Sequence, residues 1–189
     1  MIADKIHLGC GEQYKINWCN VDHPSMEYYG KDIKVDLDHD ISNPLPFAND
    51  SARFIYNEHV IEHFDVRTGI KILQECYRIL KPGGVLRIAT PDLEIIMGYY
   101  TNPFREWRED LYIKESDGNH METRCEMVNF RFRECGHKYI YDTEEIIRRL
   151  NEAGFRRIKR VDCLKSDYPE LQNIESRRES CMIVEATKI

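Results

Sequence analysis

IHLGCGEQYKINWCNVD, residues 6–22, decides the reading of this chain. Its first apolar run, through Ile6 and Leu8, stops on Gly9-Cys10-Gly11, and the next, Trp18 to Val21, is closed by Asp22. A strand that ends on Gly-x-Gly brings bare backbone against a ligand, because glycine has no Cβ to hold it off. An acidic side chain at the tip of the neighbouring strand accepts hydrogen bonds from a ribose diol. Together they point to a nucleoside-binding crevice at the carboxyl ends of parallel strands. Gly11 and Asp22 are 11 positions apart, where a dinucleotide fold needs about 20 to fit a full helix. A pyrophosphate is held at a helix N-terminus, so this spacing disfavours NAD and leaves room for a nucleoside without one.

Outward from that stretch, short apolar strands alternate with helical periodicity. Lys5–Leu8 and Trp18–Val21 read as two strands, Ile33–Leu37 as a third and Arg53–Tyr56 as a fourth. Val66, Ile70, Leu73, Tyr77 and Leu80 step by four and three, one face of a helix. Lys81-Pro82-Gly83-Gly84 stops it, and Val85–Ala89 is a continuous apolar run, as expected of a strand buried on both faces. A second helix starts at Asp142, with Glu145 three residues on, buries Ile146, Ile147 and Leu150, and ends at Gly154. Phe155–Cys163 and Ser180–Thr187 read as two closing strands with no helix between them, hence an antiparallel pair. The expected fold is an α/β sheet layered with helices on both faces.

The chain of 189 residues suits a single domain, 1–189, and its 42% apolar and 32% charged residues suit an ordinary globular protein. A formal charge of −6 argues against nucleic acid as an obligate partner, and the arginine pairs at 148–149, 156–157 and 177–178 read as solvated faces. No apolar stretch approaches the roughly 20 residues of a membrane span. The N-terminus lacks a basic-then-apolar signal, and seven scattered cysteines suit reduced thiols, so a cytoplasmic location is expected. Between about 98 and 136 the periodicity fails in a stretch rich in aromatic residues and arginine. An insertion of that length is expected to be a lid or acceptor-binding element, with a helical packing insert as the plainer alternative.

Three longer motifs identify a resemblance. DISNPLPFANDSARFIYNEHVIEHF (40–64), ECYRILKPGGVLRIATPDL (75–93) and GHKYIYDTEEIIRRLNEAGF (136–155) follow LGCG (8–11) in the order and spacing of a class I S-adenosylmethionine-dependent methyltransferase. The resemblance covers roughly two thirds of the chain. It implies a Rossmann-like, mostly parallel seven-stranded sheet with the last strand antiparallel, and S-adenosylmethionine as cofactor, leaving S-adenosylhomocysteine. Gln13 stands where the family commonly has a third glycine, and the first helix is cut to a turn or two within 12–17. That suits a compact branch of the superfamily, largely of predicted methyltransferases.

The resemblance assigns Gly9, Cys10 and Gly11 to close backbone contact with the cofactor and Asp22 to the ribose. It places Asp40 near the adenine amino group and Ile41 along the ring, with Asp36 a rival for the acidic role. Asn57 and Glu58 are expected beside the cofactor at the end of the fourth strand, while Glu62 and His63 are expected to orient the helix that follows. A hydroxyl acceptor needs a base, and histidine titrates in the right range: His59 and His137 are the two candidates. His120, Cys125, Cys135 and His137 match no tight zinc-ligand spacing, so no metal site is assigned. The arginines of the insertion suit an anionic acceptor. The expected reaction is methyl transfer to a small-molecule or glycan acceptor, at a hydroxyl oxygen. A non-catalytic cofactor-binding module or regulatory subunit is the alternative.

Overall fold

A computed structural model of the chain describes residues 1–23, 33–102, 121–134, 136–177 and 182–189. Seven strands form one sheet: β1 Lys5–Leu8, β2 Cys19–Asp22, β3 Leu37–Asp38, β4 Ala52–Glu58, β5 Leu80–Thr90, β6 Arg156–Arg160 and β7 Met182–Thr187. Their order is β3-β2-β1-β4-β5-β7-β6. The first five are parallel, and β7 runs antiparallel to both β5 and β6. The order reverses at β1–β4, with β2 on one side of β1 and β4 on the other, so the crevice opens at the ends of these strands. The terminal antiparallel pair and the parallel core are those expected. The third strand is shorter than its apolar pattern, reduced to Leu37–Asp38.

Helix α1, Val66–Ile79, is capped by Asp65, whose carboxylate accepts the Arg67 and Thr68 amide protons at 2.9 and 3.1 Å. It buries Gly69, Ile72, Leu73, Cys76 and Ile79. That stripe is rotated by about one position from Val66-Ile70-Leu73-Tyr77. The physical reason is close packing at Gly69, where a Cβ would stand 2.6 Å from the Tyr141 hydroxyl. The last helix, Thr143–Glu152, starts as expected: Asp142 accepts the Glu145 amide proton at 2.8 Å. It buries Ile146 and Leu150 but leaves Ile147 half-buried. Both helices pack on the sheet face that carries Ile6, Leu8, Ile55, Leu86, Ile88 and Val184, the main core.

The opposite face is built differently. Strand alternation sends His7, Phe54, Tyr56, Val85, Arg87 and Glu185 there. Among the described residues it is covered by Trp18, Tyr168 and Ile174 and the 3₁₀ turn Pro169–Leu171 rather than by a full α-helix. Arg87, fully buried, donates to Glu175 at 2.5 Å and to Glu185 at 2.6 Å, so the strap over this face is held by a buried ion cluster.

The connection from β1 to β2 contains two turns and no helix, with the Gln13 amide donating to the Cys10 carbonyl at 2.8 Å. Of the stretch 98–136, α2 (Leu93–Thr101) occupies the beginning. α3 (Arg124–Asn129), continued by a π-helical turn Phe130–Glu134, occupies the end. Met127 of α3 packs with Ile96, Met121 and Ile140 in a small second core. Residues 103–120, with Phe104, Arg105, Trp107, Arg108 and Tyr112 of the aromatic and arginine-rich segment, lie outside the described residues.

Candidate functional site

At the carboxyl ends of β1, β2 and β4 a cleft of about 170 Å³ is lined by Gly9, Asp22, His23, His39, Asp40, Ile41, His59, Val60, His63 and Phe64. That is below the roughly 300–1,000 Å³ of a site for a drug-sized ligand, so the cleft seats a part of such a ligand. Gly9 lies at φ +64°, and a Cβ added there would come within 2.3 Å of Val60 Cγ2. Only glycine fits this turn against β4. Its amide and that of Cys10 both donate to the Val21 carbonyl, at 2.8 and 3.3 Å, which stitches the loop to β2.

Asp22 completes the loop. Oδ2 accepts the Gly11 amide proton at 2.7 Å, and Oδ1 accepts that of His23 at 2.7 Å. A carboxylate has about four acceptor positions, so two backbone bonds leave capacity for a ribose diol. Cys10 and Gly11 adjoin the cleft without lining it. Burial pushes the Cys10 thiol up to about 12, with the Asp22 charge adding to it, so the side chain is an inert neutral group.

Asp40 and Ile41 stand on the cleft wall, whereas Asp36 does not line it. Asp36 is engaged elsewhere: it accepts the Asn20 amide at 2.8 Å and the Tyr14 hydroxyl at 2.7 Å, fastening β2 to the turn before it. Asp40 is held by the Ser42 amide at 2.9 Å and by Asn43 Nδ2 at 3.2 Å. The Ser42 hydrogen bonds keep its carboxyl below the ordinary range, so it is ionised near neutrality.

Asn57 and Glu58 separate, because successive strand residues point to opposite faces. Asn57 is buried on the helix-covered face, and its Oδ1 meets no hydrogen-bond donor among the described residues. A buried orphaned acceptor calls for a partner the fold itself does not supply. Glu58 turns to the other face and does not line the cleft. Its carboxylate accepts the Ser176 and Arg177 amide protons at 3.0 and 2.9 Å, clasping the strap.

His59 follows β4 in a left-handed conformation, φ +53°, with its amide donating to the Ala89 carbonyl at 2.9 Å. A non-glycine residue held there stores local strain, and such strain concentrates at functional sites. Its Nδ1 lies 3.0 Å from Oε1 of the fully buried Glu62. Thr90 Oγ1 donates to the other oxygen, Oε2, at 3.0 Å. Burial opposes ionisation of Glu62, but the His59 contact and the neighbouring imidazoles outweigh it and hold the carboxyl below its ordinary value.

His137 does not line the cleft. It lies behind His63, which does, their rings 5.0 Å apart and edge to face. Burial lowers both imidazoles below the ordinary histidine value, so both are neutral at pH 7. Glu62, His63 and His137 therefore meet beside the cleft, a cluster not foreseen from spacing. Of the four residues weighed as zinc ligands, Cys125 is exposed on α3, and His120 and Cys135 lie outside the described residues. His23 and His39 were also missed. His23 Nδ1 pairs with Asp38 at 2.7 Å, and the buried Nε2 atom of His39 has no partner among the described residues. The only signal for them in sequence is adjacency to Asp22 and Asp40.

The strand order and this cleft can now be set beside known proteins. Residues 6–88 match the family described as a methyltransferase domain. The seven-stranded sheet is the class I methyltransferase fold. A curated relative, a "probable S-adenosylmethionine-dependent methyltransferase" of Mycolicibacterium smegmatis, is 28% identical over 100 residues. That match covers 47% of this chain and 38% of the relative, so the chain spans well under half of the relative's length. Among solved structures, an Archaeoglobus fulgidus S-adenosylmethionine-dependent methyltransferase aligns with TM-score 0.59 and 18% identity, over 99% of this chain and 86% of that one. A Thermotoga maritima protein, described as a possible histamine N-methyltransferase, gives 0.53 and 21% over 100% and 84%. These likenesses place the methyltransferase fold. Members of the family use S-adenosylmethionine, and the residues present fit its nucleoside: a glycine whose Cβ is excluded, a carboxylate with spare acceptor positions and an apolar wall at Ile41.

Proposed function

We propose that this chain is an enzyme that moves the methyl group of S-adenosylmethionine to a hydroxyl oxygen of a small-molecule or glycan acceptor in the cytoplasm. The observation that carries it is His59 on the wall of the nucleoside cleft, backed by the buried Glu62 at 3.0 Å. When bound, the cofactor supplies an electrophilic methyl on a sulfonium that is its own leaving group. What remains for the chain is to bind, align and take up a proton. The Gly9 turn and Asp22 would hold the ribose side, Asp40 and Ile41 the adenine side, and the unpartnered Asn57 Oδ1 would be an acceptor for the methionine ammonium. Alignment at near-attack distance is worth up to roughly 7–11 kcal/mol in favourable systems.

The Glu62 carboxylate favours the His59 tautomer protonated at Nδ1, which leaves Nε2 unprotonated and ready to take a proton from an acceptor hydroxyl. His137, set behind His63, is in no position to touch an acceptor in the cleft and serves the site indirectly. The 98–136 stretch supplies acceptor contacts and a lid, and its arginines suit an anionic acceptor. Among the described residues no helix is long and apolar enough to cross a membrane.

The test is calorimetry with S-adenosylhomocysteine, followed by a methyl-release assay over a panel of hydroxyl and amino acceptors. Micromolar binding with turnover on hydroxyl acceptors, and His59→Gln losing turnover while keeping affinity, is the expected result. Turnover on amines alone overturns the oxygen acceptor. Binding without turnover on any acceptor favours a non-catalytic module, a reading that the helix-free β1–β2 connection makes worth testing.

A further inference from the structure

We propose that Glu62, His63 and His137 bind one divalent transition-metal cation beside the nucleoside cleft. One ligand atom from each lies within 4.8 Å of the other two. Metal bonds of about 2.1 Å set neighbouring ligand atoms about 3.0–3.5 Å apart, so binding needs a contraction of about 1.5 Å shared among three side chains. The donor set, two imidazoles and one carboxylate, suits zinc, iron(II), cobalt(II) or manganese(II) rather than calcium.

The surroundings are built as a ligand support. Lys138 and Tyr139 amides both donate to the Glu62 carbonyl, at 2.8 and 3.1 Å, which pins the chain at 137–139 to the 3₁₀ turn Ile61–His63. His137 Nδ1 donates to the Arg131 carbonyl at 2.6 Å, which leaves Nε2 as the ring atom able to ligate. The His63 ring is tied to the Gly136 backbone. Each imidazole is thus oriented through a carbonyl, the arrangement that fixes ring position and tautomer around metals. Thr90 orients Glu62 Oε2. Glu62 Oε1 is fully buried with His59 Nδ1 3.0 Å away, and a carboxylate oxygen with one such neighbour keeps a lone pair for a cation.

Three protein ligands leave coordination positions open. Because His63 also lines the cleft, an acceptor hydroxyl placed there would coordinate the cation and become more acidic. The proton of that hydroxyl would go to His59, which also lines the cleft. This use of the cation rests on the methyl-transfer reading; the binding itself does not.

The experiment takes untagged full-length protein, stripped with chelator and titrated with Co²⁺ and Mn²⁺ by calorimetry and absorbance. S-adenosylhomocysteine affinity is measured in parallel. Expected are one cation per chain, no thiolate charge-transfer band, and binding weakened at least about tenfold in His137→Gln and Glu62→Gln, with nucleoside affinity retained in His137→Gln. A metal-dependent rise in Tm should be present in the native protein and absent from His137→Gln. No stoichiometric binding, a thiolate band, or binding equal in His137→Gln and the native chain overturns the proposal. Glu62 is fully buried; should Glu62→Gln not fold, His137→Gln alone decides. Nucleoside binding without metal binding sinks the cation site and spares the methyltransferase reading, whereas metal binding without nucleoside binding does the reverse.

Discussion

Replacing Asp22 separates its two jobs, tying the glycine loop and holding a ribose. In the structure its two oxygens accept the Gly11 and His23 amide protons, each at 2.7 Å. Asp22→Ala strands both donors, and a buried unsatisfied amide costs about 1–3 kcal/mol. Gly11 is buried and bears most of that, so stability should fall by about 2 kcal/mol, or about 6 °C in Tm at this chain length. Asp22→Asn keeps one acceptor and sets its amide group against the other N–H, for about half that loss. The ribose loses a charged acceptor in both variants, worth about 1.5–3 kcal/mol, or about 10- to 150-fold in Kd. The assay is calorimetry with S-adenosylhomocysteine at a temperature where all three proteins are folded, with thermal melts beside it. Affinity within about twofold of the native protein in both variants would refute the ribose assignment, whatever the melts show. Unchanged melts would instead refute the loop-tying bonds.

Two further substitutions probe the fold around the site. Gly9→Ala must adopt φ +64° and drive its Cβ to 2.3 Å from Val60 Cγ2; left-handed strain of about 1–2 kcal/mol and overpacking of about 1–3 kcal/mol should add. Adding Val60→Ala should recover only the packing part in denaturant melts, and full recovery would show that the backbone conformation is not the constraint. His7 is buried against Asn20 and Tyr56, and burial, with the Lys15 charge beside it, pulls its pKa down to about 4. The unfolded chain therefore takes up this proton first, at about 6.5. The penalty is absent above pH 6.5 and grows as pH falls toward 4, reaching about 2 kcal/mol at pH 5. His7→Gln should flatten the stability profile between pH 7 and 5 by that amount; parallel profiles would mean that His7 is not held neutral.

Residues whose placement depends on their own neighbours are legible in the sequence. The Gly9–Gly11 turn, Asp22 at a strand tip, the Asp142 cap and the Lys81–Gly84 stop are each written within a few residues, because strand alternation, capping and turn conformations are local. The same holds for the choice of Asp40, five residues ahead of Leu45-Pro46-Phe47. What failed was facing and long-range meeting. The buried stripe of α1 turned by a position because Gly69 lets Tyr141 approach, a contact between residues far apart in sequence. Glu58 is consecutive with Asn57 and His59, yet strand alternation and the strap at 176–177 draw it to the far face.

By itself, then, the sequence determined a parallel sheet with an antiparallel end and a nucleoside crevice that disfavours a pyrophosphate. It did so through the motif order and the short Gly11-to-Asp22 spacing. Only the tertiary structure decided which side chains share that crevice and which meet beside it. Glu62 and His137 lie far apart in the chain, and no periodicity links them. The backbone bonds from 138 and 139 to the Glu62 carbonyl bring them together, since closing so long a loop depends on the packing of the whole sheet.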